Sequence, residues 1–239
     1  MYDWKELFNH MPARYTRENS PEDIATHIEL HQKLAHATAL VQISPADDDR
    51  SRMITICCKD QPGLFTKITG AFFLHEMDIQ EARIYTWTNK TAIDIFKVKL
   101  PIDALLDDTW SQRLKKDLMG ALENRNHLEA ILERKMASPD AAPDARYHAT
   151  PSVRLDNDAS RFFTVISVSA GDGLGLLYRI ARALHRSDVS VCTARIATFG
   201  YLVMDVFFIQ GRDGQKILER ARLQEIQDSL MAVLDQPRS

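Results

Sequence analysis

The sequence contains few cysteines and no long hydrophobic run. Only three of its 239 residues are cysteine, and two of these are adjacent at positions 57 and 58, which is too few for a disulfide framework. No apolar stretch approaches the roughly 20 residues that cross a bilayer. The first residues also lack the basic start and apolar core of a signal peptide. These features argue against a disulfide-rich secreted domain and predict a cytoplasmic protein.

Neither sign of charge dominates the sequence. It has 30 Lys and Arg against 33 Asp and Glu, a formal net charge of −3. Such a balance gives no general attraction to nucleic acid or to an anionic membrane, so we expect neither as a partner. Glycine and proline number nine each, which excludes collagen-like and elastic chains. With 45% hydrophobic residues, the chain can bury a core without metal or disulfides.

One segment of the sequence occurs twice. Residues 53–100 match residues 164–210, with an offset of 112 positions up to a turn and 111 positions after it. The matched pairs include Asp60/Asp172, Gly63/Gly175, Leu64/Leu176, Asp94/Asp205 and Phe96/Phe207. A match of this length with one gap predicts two copies of a small domain.

Within each copy the hydrophobic period changes in the order β-α-β-β-α-β. The elements predicted for the first copy are the strand 53–58, the helix 64–75, the strands 79–87 and 92–100, the helix 114–132 and a last strand 152–155. This order predicts an α+β protein with two ferredoxin-like βαββαβ domains. We expect the two domains to pair side by side, because that arrangement covers strand edges.

The second copy lacks a last strand within its own extent. We therefore expect the strand-like run 39–43 to occupy that place in the second sheet. The predicted domains are 1–44, a helical segment plus one strand; 45–159, with a linker-like insertion at 138–151; and 160–239. Residues 1–37 read as two helices, and Ser20-Pro-Glu-Asp is a typical helix start.

The turn between the first strand and first helix of each copy is the candidate binding site. Gly63 and Gly175 permit backbone conformations and close approaches that a side chain would prevent. The amides of the helix N-terminus favour a carboxylate, and Asp60 or Asp172 beside them could hold an ammonium group. Together these are the two halves of a site for an amino-acid zwitterion. A simple helix-capping role for the aspartates explains the same pattern.

These motifs resemble those of ACT domains, small βαββαβ modules that bind amino acids and regulate metabolic enzymes. The resemblance is carried by Asp60-Gln-Pro-Gly-Leu-Phe, residues 79–84 and Ala194-Arg-Ile-Ala-Thr. Over nearly its whole length the chain is also similar to the C-terminal region of the bacterial bifunctional uridylyltransferase/uridylyl-removing enzymes, which modify the PII signal protein in response to glutamine. The segments behind this narrower match are Met11-Pro-Ala-Arg-Tyr, Ser20-Pro-Glu-Asp-Ile-Ala, Val153-Arg-Leu-Asp-Asn-Asp-Ala-Ser and Gly175-Leu-Leu-Tyr-Arg-Ile.

The resemblance implies that each turn and a facing strand start bind glutamine or a similar effector. The implied residues are Asp60, Gln61, Pro62, Gly63, Leu64 and Phe65 with Asp78 and Ile79, and Asp172, Leu174, Gly175, Leu176 and Leu177 with Ser190 and Val191. The sequence departs from the family pattern at Leu174, where Pro is common. It also departs at Asp78 and Ser190, where Asn is common.

The catalytic motifs of those enzymes are missing from this chain. It has neither the Gly-Ser pair of the transferase nor the His-Asp pair of the hydrolase. We therefore expect no catalytic residue, metal or cofactor, and a regulatory role in nitrogen metabolism through amino-acid sensing. Its protein partners would be the catalytic domains of a uridylyltransferase or the PII protein. Open alternatives are a docking module without an effector and a free-standing ACT regulator; an unrecognised enzyme is disfavoured.

Two further patterns predict structural roles. The matched arginines are expected to form ion pairs across adjacent strands, Arg83 with Asp94 and Arg195 with Asp205. His27 and His31 have a spacing that can hold zinc, but no further ligand motif accompanies them. We expect these two histidines to lie on a solvated helix face.

Overall fold

The structure, a computed structural model, describes residues 4–107, 109–123, 128–137, 150–173, 175–199 and 201–235. The strands are β1 (Ala39–Pro45), β2 (Ser51–Lys59), β3 (Asp78–Thr86), β4 (Thr91–Lys99), β5 (Ser152–Asp156), β6 (Thr164–Gly171), β7 (Val189–Arg195), β8 (Thr198–Phe199) and β9 (Leu202–Gly211). The helices are α1 (Trp4–Phe8), α2 (Ala13–Glu18), α3 (Pro21–Lys33), α4 (Leu64–Leu74), α5 (Ile102–Leu105), α6 (Trp110–Leu122), α7 (Leu128–Met136), α8 (Leu176–Arg186) and α9 (Arg220–Leu234).

Two antiparallel sheets with helices packed on them confirm the predicted α+β, ferredoxin-like fold. The strand order is β1-β2-β4-β3 in the first sheet and β5-β6-β9-β7 in the second, where the short β8 also pairs with β9. The helix predicted over 114–132 is two helices, α6 and α7, on either side of residues 124–127.

One edge strand of each sheet, β1 in the first and β5 in the second, comes before the repeated segment in the chain, whereas the sequence predicted a strand after it. β1 pairs with β2 in the first sheet, so the prediction that 39–43 completes the second sheet is wrong. β5 pairs with β6, so 152–155 is not the last strand of the first copy. Val41 lies opposite Ile56 and Val153 opposite Val168, which extends the offset of 112 into both outer strands. Each copy is therefore a β-β-α-β-β-α unit with a complete ferredoxin-like sheet.

The sheets to which β1 and β5 belong indicate where each domain begins. The limits at 44/45 and 159/160 stay predictions, and we propose instead that the first unit begins with β1 and the second with β5. The predicted insertion 138–151 lies outside the described residues, except for its last two.

The first sheet is covered on both faces. Helices α4 and α6 pack on one face, while the N-terminal helices cover the other through a buried cluster that includes Leu7, Tyr15, Ile93 and Trp87. The predicted helix start at Ser20 is present as a reciprocal cap between the Ser20 and Asp23 side chains and backbones. In place of the two helices expected over 1–37, the described residues 4–37 form three α-helices, α1 to α3, and a short 3₁₀ helix at Leu34–His36.

The arginines and aspartates matched between the copies project from opposite sheet faces. Arg83 lies opposite Ile95, whereas Asp94 lies opposite Ile84. Because directly opposed residues share a face in an antiparallel pair, Arg83 points toward the N-terminal helices, where its Nη1 donates to the Glu18 carbonyl at 3.2 Å. The predicted ion pairs are therefore wrong, and the second sheet repeats this arrangement.

The two copies lie side by side. The outer strands β3 and β7 are neighbours, and α4 packs against α8. Across this junction the Thr66 hydroxyl donates to the Ala181 carbonyl at 3.1 Å. Arg14 in α2 also reaches the second copy, where it donates to the Thr193 hydroxyl. In the part of the chain that the structure describes, no helix is both long and apolar enough to cross a membrane.

Candidate functional site

The two strand–helix turns adopt the same backbone conformation. Gly63 and Gly175 precede α4 and α8 with φ angles of 72° and 74°, in the left-handed region that favours glycine. Asp172 Oδ1 accepts from the amide of the next residue, Gly173, at 2.7 Å. Burial raises the pKa of Asp60, and the Gln61 amide opposes that shift. The N-cap residues of the two helices are the glycines themselves, and the one amide that Asp172 is seen to bond among the described residues precedes its helix.

A cavity of about 200 Å³ lies between the copies at the second turn. The first copy contributes Phe73, Glu76, Asp78 and Ile79, from the end of α4 and the start of β3. The second copy contributes Asp172, Gly175, Leu176 and Leu177, together with Asp205 from β9. Carboxylates and the start of a helix therefore face one space with apolar walls.

The cavity is lined by six of the predicted site residues, but their grouping differs from the one that the sequence predicted. Asp78 and Ile79 of the first copy face the turn of the second copy, whereas the sequence grouped them with their own turn. Leu174, also predicted at this turn, lies outside the described residues. Ser190 and Val191 lie on β7 beside the first copy and do not line this cavity.

The first turn has different surroundings. Leu64 and Phe65 are buried in the core, and Phe65 stacks on Phe96 with ring centroids 6.4 Å apart. The Gln61 side chain bridges two helices: its Nε2 donates to the Leu122 carbonyl at 3.1 Å, and its Oε1 accepts from Lys67 at 2.7 Å. These three predicted site residues therefore have structural contacts within their own copy.

Pro62 and Gly63 line a second opening of about 530 Å³ between α4, α7 and α8. Its charged walls are largely paired, because Arg182 contacts Glu133 and Arg186 contacts Glu129, each at 3.3 Å. Asp60 is close enough to the second copy to influence the pKa of Cys192 on β7. The first turn thus also faces the other copy, in surroundings that contain basic groups.

Burial shifts the ionisation of the carboxyl groups in the cavity. Burial raises the pKa of Asp78, and the nearby Asp172 raises it further, while Lys99 opposes the shift. Burial also raises the pKa of Asp205 to about 7, with Asp172 adding to the effect and the Ala197 amide opposing it. The carboxyl groups of both copies therefore influence one another across the cavity.

Among the cavity residues that the sequence did not predict as candidates for binding are Phe73, Glu76 and Asp205. The sequence predicts Asp205 only as an ion-pair partner of Arg195. Its position in β9 gave a usable signal, because Val203, Asp205 and Phe207 alternate onto the buried face of the strand. A carboxylate at such a position needs a partner or a function.

The N-terminal histidines are not arranged as a metal site. Among the described residues, no three His, Cys, Asp or Glu side chains are placed together to hold a metal. His27 is buried, and its Nδ1 is hydrogen-bonded to the Tyr15 hydroxyl at 2.8 Å. The predicted solvated face is therefore wrong for His27.

The chain is similar to a known domain family, to enzymes of known name and to a solved structure. A family model described as "ACR9-like, ACT-like domain" matches residues 152–238. The bifunctional uridylyltransferase/uridylyl-removing enzyme of Rhodospirillum rubrum is 34% identical over 90% of this chain and 23% of its own length. The enzyme of the same name from Novosphingobium aromaticivorans is 38% identical over 75% of this chain and 20% of its own length. A solved structure of an unknown protein from Galdieria sulphuraria is 13% identical, with a TM-score of 0.26, over 77% of this chain and 91% of that one.

The fold and the family match define the class: residues 152–238 match an ACT-like domain, and the first copy has the same sheet architecture as the second. More particularly, the chain is related over most of its length to the C-terminal region of the bifunctional uridylyltransferase/uridylyl-removing enzymes. The resemblance seen in the sequence is thereby confirmed. The chain spans between a fifth and a quarter of the length of these relatives.

Proposed function

We propose that this chain is a regulatory module that binds a free amino acid in the cavity between its two copies; glutamine is the ligand that the resemblance implies. One observation carries the proposal: the start of α8 and the carboxylates of Asp172 and Asp205 face the same space. Amides in the first turn of a helix lack partners within the helix and attract a carboxylate. The aspartates attract an ammonium group, so the two features match the two ends of a zwitterion.

The proposed regulation follows from the composition of the cavity. Because both copies line it, a bound amino acid would favour one arrangement of the copies over others. A catalytic domain of the kind named in the relatives, or the PII signal protein, would sense that arrangement. In this proposal the chain itself performs no chemistry.

Calorimetry on the 239-residue chain tests the binding, with glutamine as ligand and glutamate, aspartate and glycine as comparisons. Gly175→Ala and Gly63→Ala form a matched pair, because both place alanine at nearly the same left-handed φ. A Cβ at Gly175 would lie 2.8 Å from the Phe73 ring at the cavity wall, whereas one at Gly63 would face His185 at 3.1 Å. We expect Gly175→Ala to abolish binding and Gly63→Ala to retain it.

Circular dichroism and thermal melting establish that both variants remain folded. Equal loss of binding in two folded variants would place the site outside this cavity. A folded parent chain that binds none of the four amino acids would contradict amino-acid sensing.

A second candidate function, docking of a protein partner without an effector, is favoured by one open surface. Phe199 and Met204 correspond by the repeat to Trp87 and Ile93, which the N-terminal helices bury in the first sheet. In the second sheet they are 66% and 51% exposed. Two results together would favour this candidate. The chain would bind none of the amino acids, and it would bind purified PII protein in a way that Met204→Glu abolishes.

A further inference from the structure

The cavity between the copies is lined by acidic groups without basic ones. Four carboxylates reach it, those of Glu76, Asp78, Asp172 and Asp205, and no Lys, Arg or His is found among the described residues that line it. Glu76 is compensated by Lys135, whose Nζ lies 2.6 Å from its Oε1. The other three carboxylates form no ion pair with a described residue.

Asp205 is the most deeply buried of these groups. It is only 1% exposed, yet it lines the cavity. Its Oδ1 accepts one long hydrogen bond, 3.3 Å from the Ala197 amide. Burial disfavours the ionised form of Asp205, and a cation placed in the cavity would stabilise that form.

Comparison of the two copies shows which of these carboxylates have an equivalent at the first turn and which do not. Asp60 and Asp94 correspond to Asp172 and Asp205, so both copies bring a turn carboxylate near a buried strand carboxylate. The third carboxylate is different, because the residue that corresponds to Asp78 is Ser190. Asp78 therefore adds a negative charge to this cavity that the first turn does not have.

We propose that the cavity selects ligands with net positive charge, of the class of dibasic amino acids, over zwitterions of the same shape. This inference rests on the proposed amino-acid site. The ligand's carboxylate lies at the start of α8, and its α-ammonium group lies near Asp172 and Asp205. Asp78, contributed by the first copy, then faces the cationic end of the ligand side chain.

Arginine and citrulline test the proposal, because they have nearly the same shape and differ by one positive charge. Calorimetry on the full chain should show arginine binding at least about tenfold more tightly than citrulline, since hydrogen bonds to charged groups are the stronger ones. Ornithine should likewise bind more tightly than glutamine. Asp78→Asn should reduce the preference for arginine and leave citrulline binding nearly unchanged.

Asp188→Asn is the matched control. Asp188 corresponds to Glu76 by the repeat, is exposed, forms an ion pair with Arg212 and does not line the cavity. Its replacement should leave the ratio of the two affinities unchanged. Glutamine or citrulline binding as tightly as arginine would overturn the charge preference and leave the amino-acid site standing. A folded chain that binds neither dibasic nor neutral amino acids would overturn both.

Discussion

Asp94 and Asp205 occupy equivalent positions in the central strands β4 and β9, and each is 1% exposed. Burial raises the pKa of Asp94 well above its usual range, and the Tyr85 amide opposes the shift. Neither Asp94 oxygen has a hydrogen-bond partner among the described residues. An ionised carboxylate in such a position would destabilise the fold, so burial favours the protonated form of both groups. Asp205 also lines the cavity between the copies, whereas Asp94 does not.

Asp205→Asn should alter how stability depends on pH. The folded chain holds the Asp205 proton up to about pH 7, whereas the unfolded chain loses it near pH 3.8. The folded state therefore binds more protons between these values, and the free energy of unfolding falls as pH rises through them. At pH 8 the variant should be more stable by up to about 4 kcal/mol, with no gain at pH 4.

Urea unfolding between pH 4 and 8 measures this difference. Asp158→Asn, which removes an exposed carboxylate after β5, is the control and should leave the pH dependence unchanged. If the free energy of unfolding of Asp205→Asn followed pH in parallel with that of the parent chain, Asp205 would not be the source of this pH dependence.

At the residue scale, the sequence predicted the features that depend only on the local backbone conformation of a turn. Gly63 and Gly175 were recognisable because their turns require a left-handed residue, which the structure has at both positions. The grouping of Asp78 with the second turn was not recognisable. It depends on how two copies pack, and the spacing of residues within one copy carries no information about that packing.

The N-terminal helices form a second layer on the first sheet, and their core contains a polar pair. Tyr15 is fully buried, its hydroxyl bonds to His27, and its ring packs edge-on against Trp87 with centroids 5.5 Å apart. Burial lowers the pKa of His27 from 6.5 to about 4, and it lowers the pKa of His31 as well. These helices therefore pack on the sheet with neutral histidines.

Acid should destabilise the packing of this layer through the protonation of His27. Below pH 6.5 the unfolded chain protonates His27 while the folded chain resists until about pH 4, so stability falls as pH drops through this window. The loss should approach about 3 kcal/mol. His27→Gln keeps a polar partner for Tyr15 without titrating, and should flatten this part of the profile in denaturant unfolding. His36→Gln, on the following turn, is the control, and an equally flattened profile there would refute a specific role for His27.

At the element scale, the sequence predicted the start of α3 at Ser20 because a helix cap is a local pattern. It misplaced β1 and β5 because a short apolar run does not identify its partner strand. The offset of 112 continues through Val41 and Val153, but the outer strands share too few identities to reveal the match. The short loop between β1 and β2 was the better guide, because strands joined by a few residues usually pair with each other.

The second unit should fold by itself when cut at its own first strand. A fragment of residues 150–239 keeps β5 beside β6, together with α8 and α9. A fragment of residues 160–239 follows the limit predicted from the sequence and leaves the β6 edge without its neighbour. We expect cooperative thermal unfolding and a monomer for the longer fragment, and aggregation for the shorter one, because an open strand edge pairs with other chains. Equal behaviour of the two fragments would show that β5 is dispensable.

The completeness of each sheet has a consequence for the origin of the molecule. A unit that closes its sheet with its own leading strand can be duplicated head to tail without exchanging strands with its neighbour. The cavity behaves differently, since it needs Asp78 from one unit and Asp172 from the other. A single ancestral unit would have had a whole sheet and only half of this pocket. Gene duplication would thus have created the pocket itself, and later substitutions such as the Asp78/Ser190 difference could specialise one junction without altering the other.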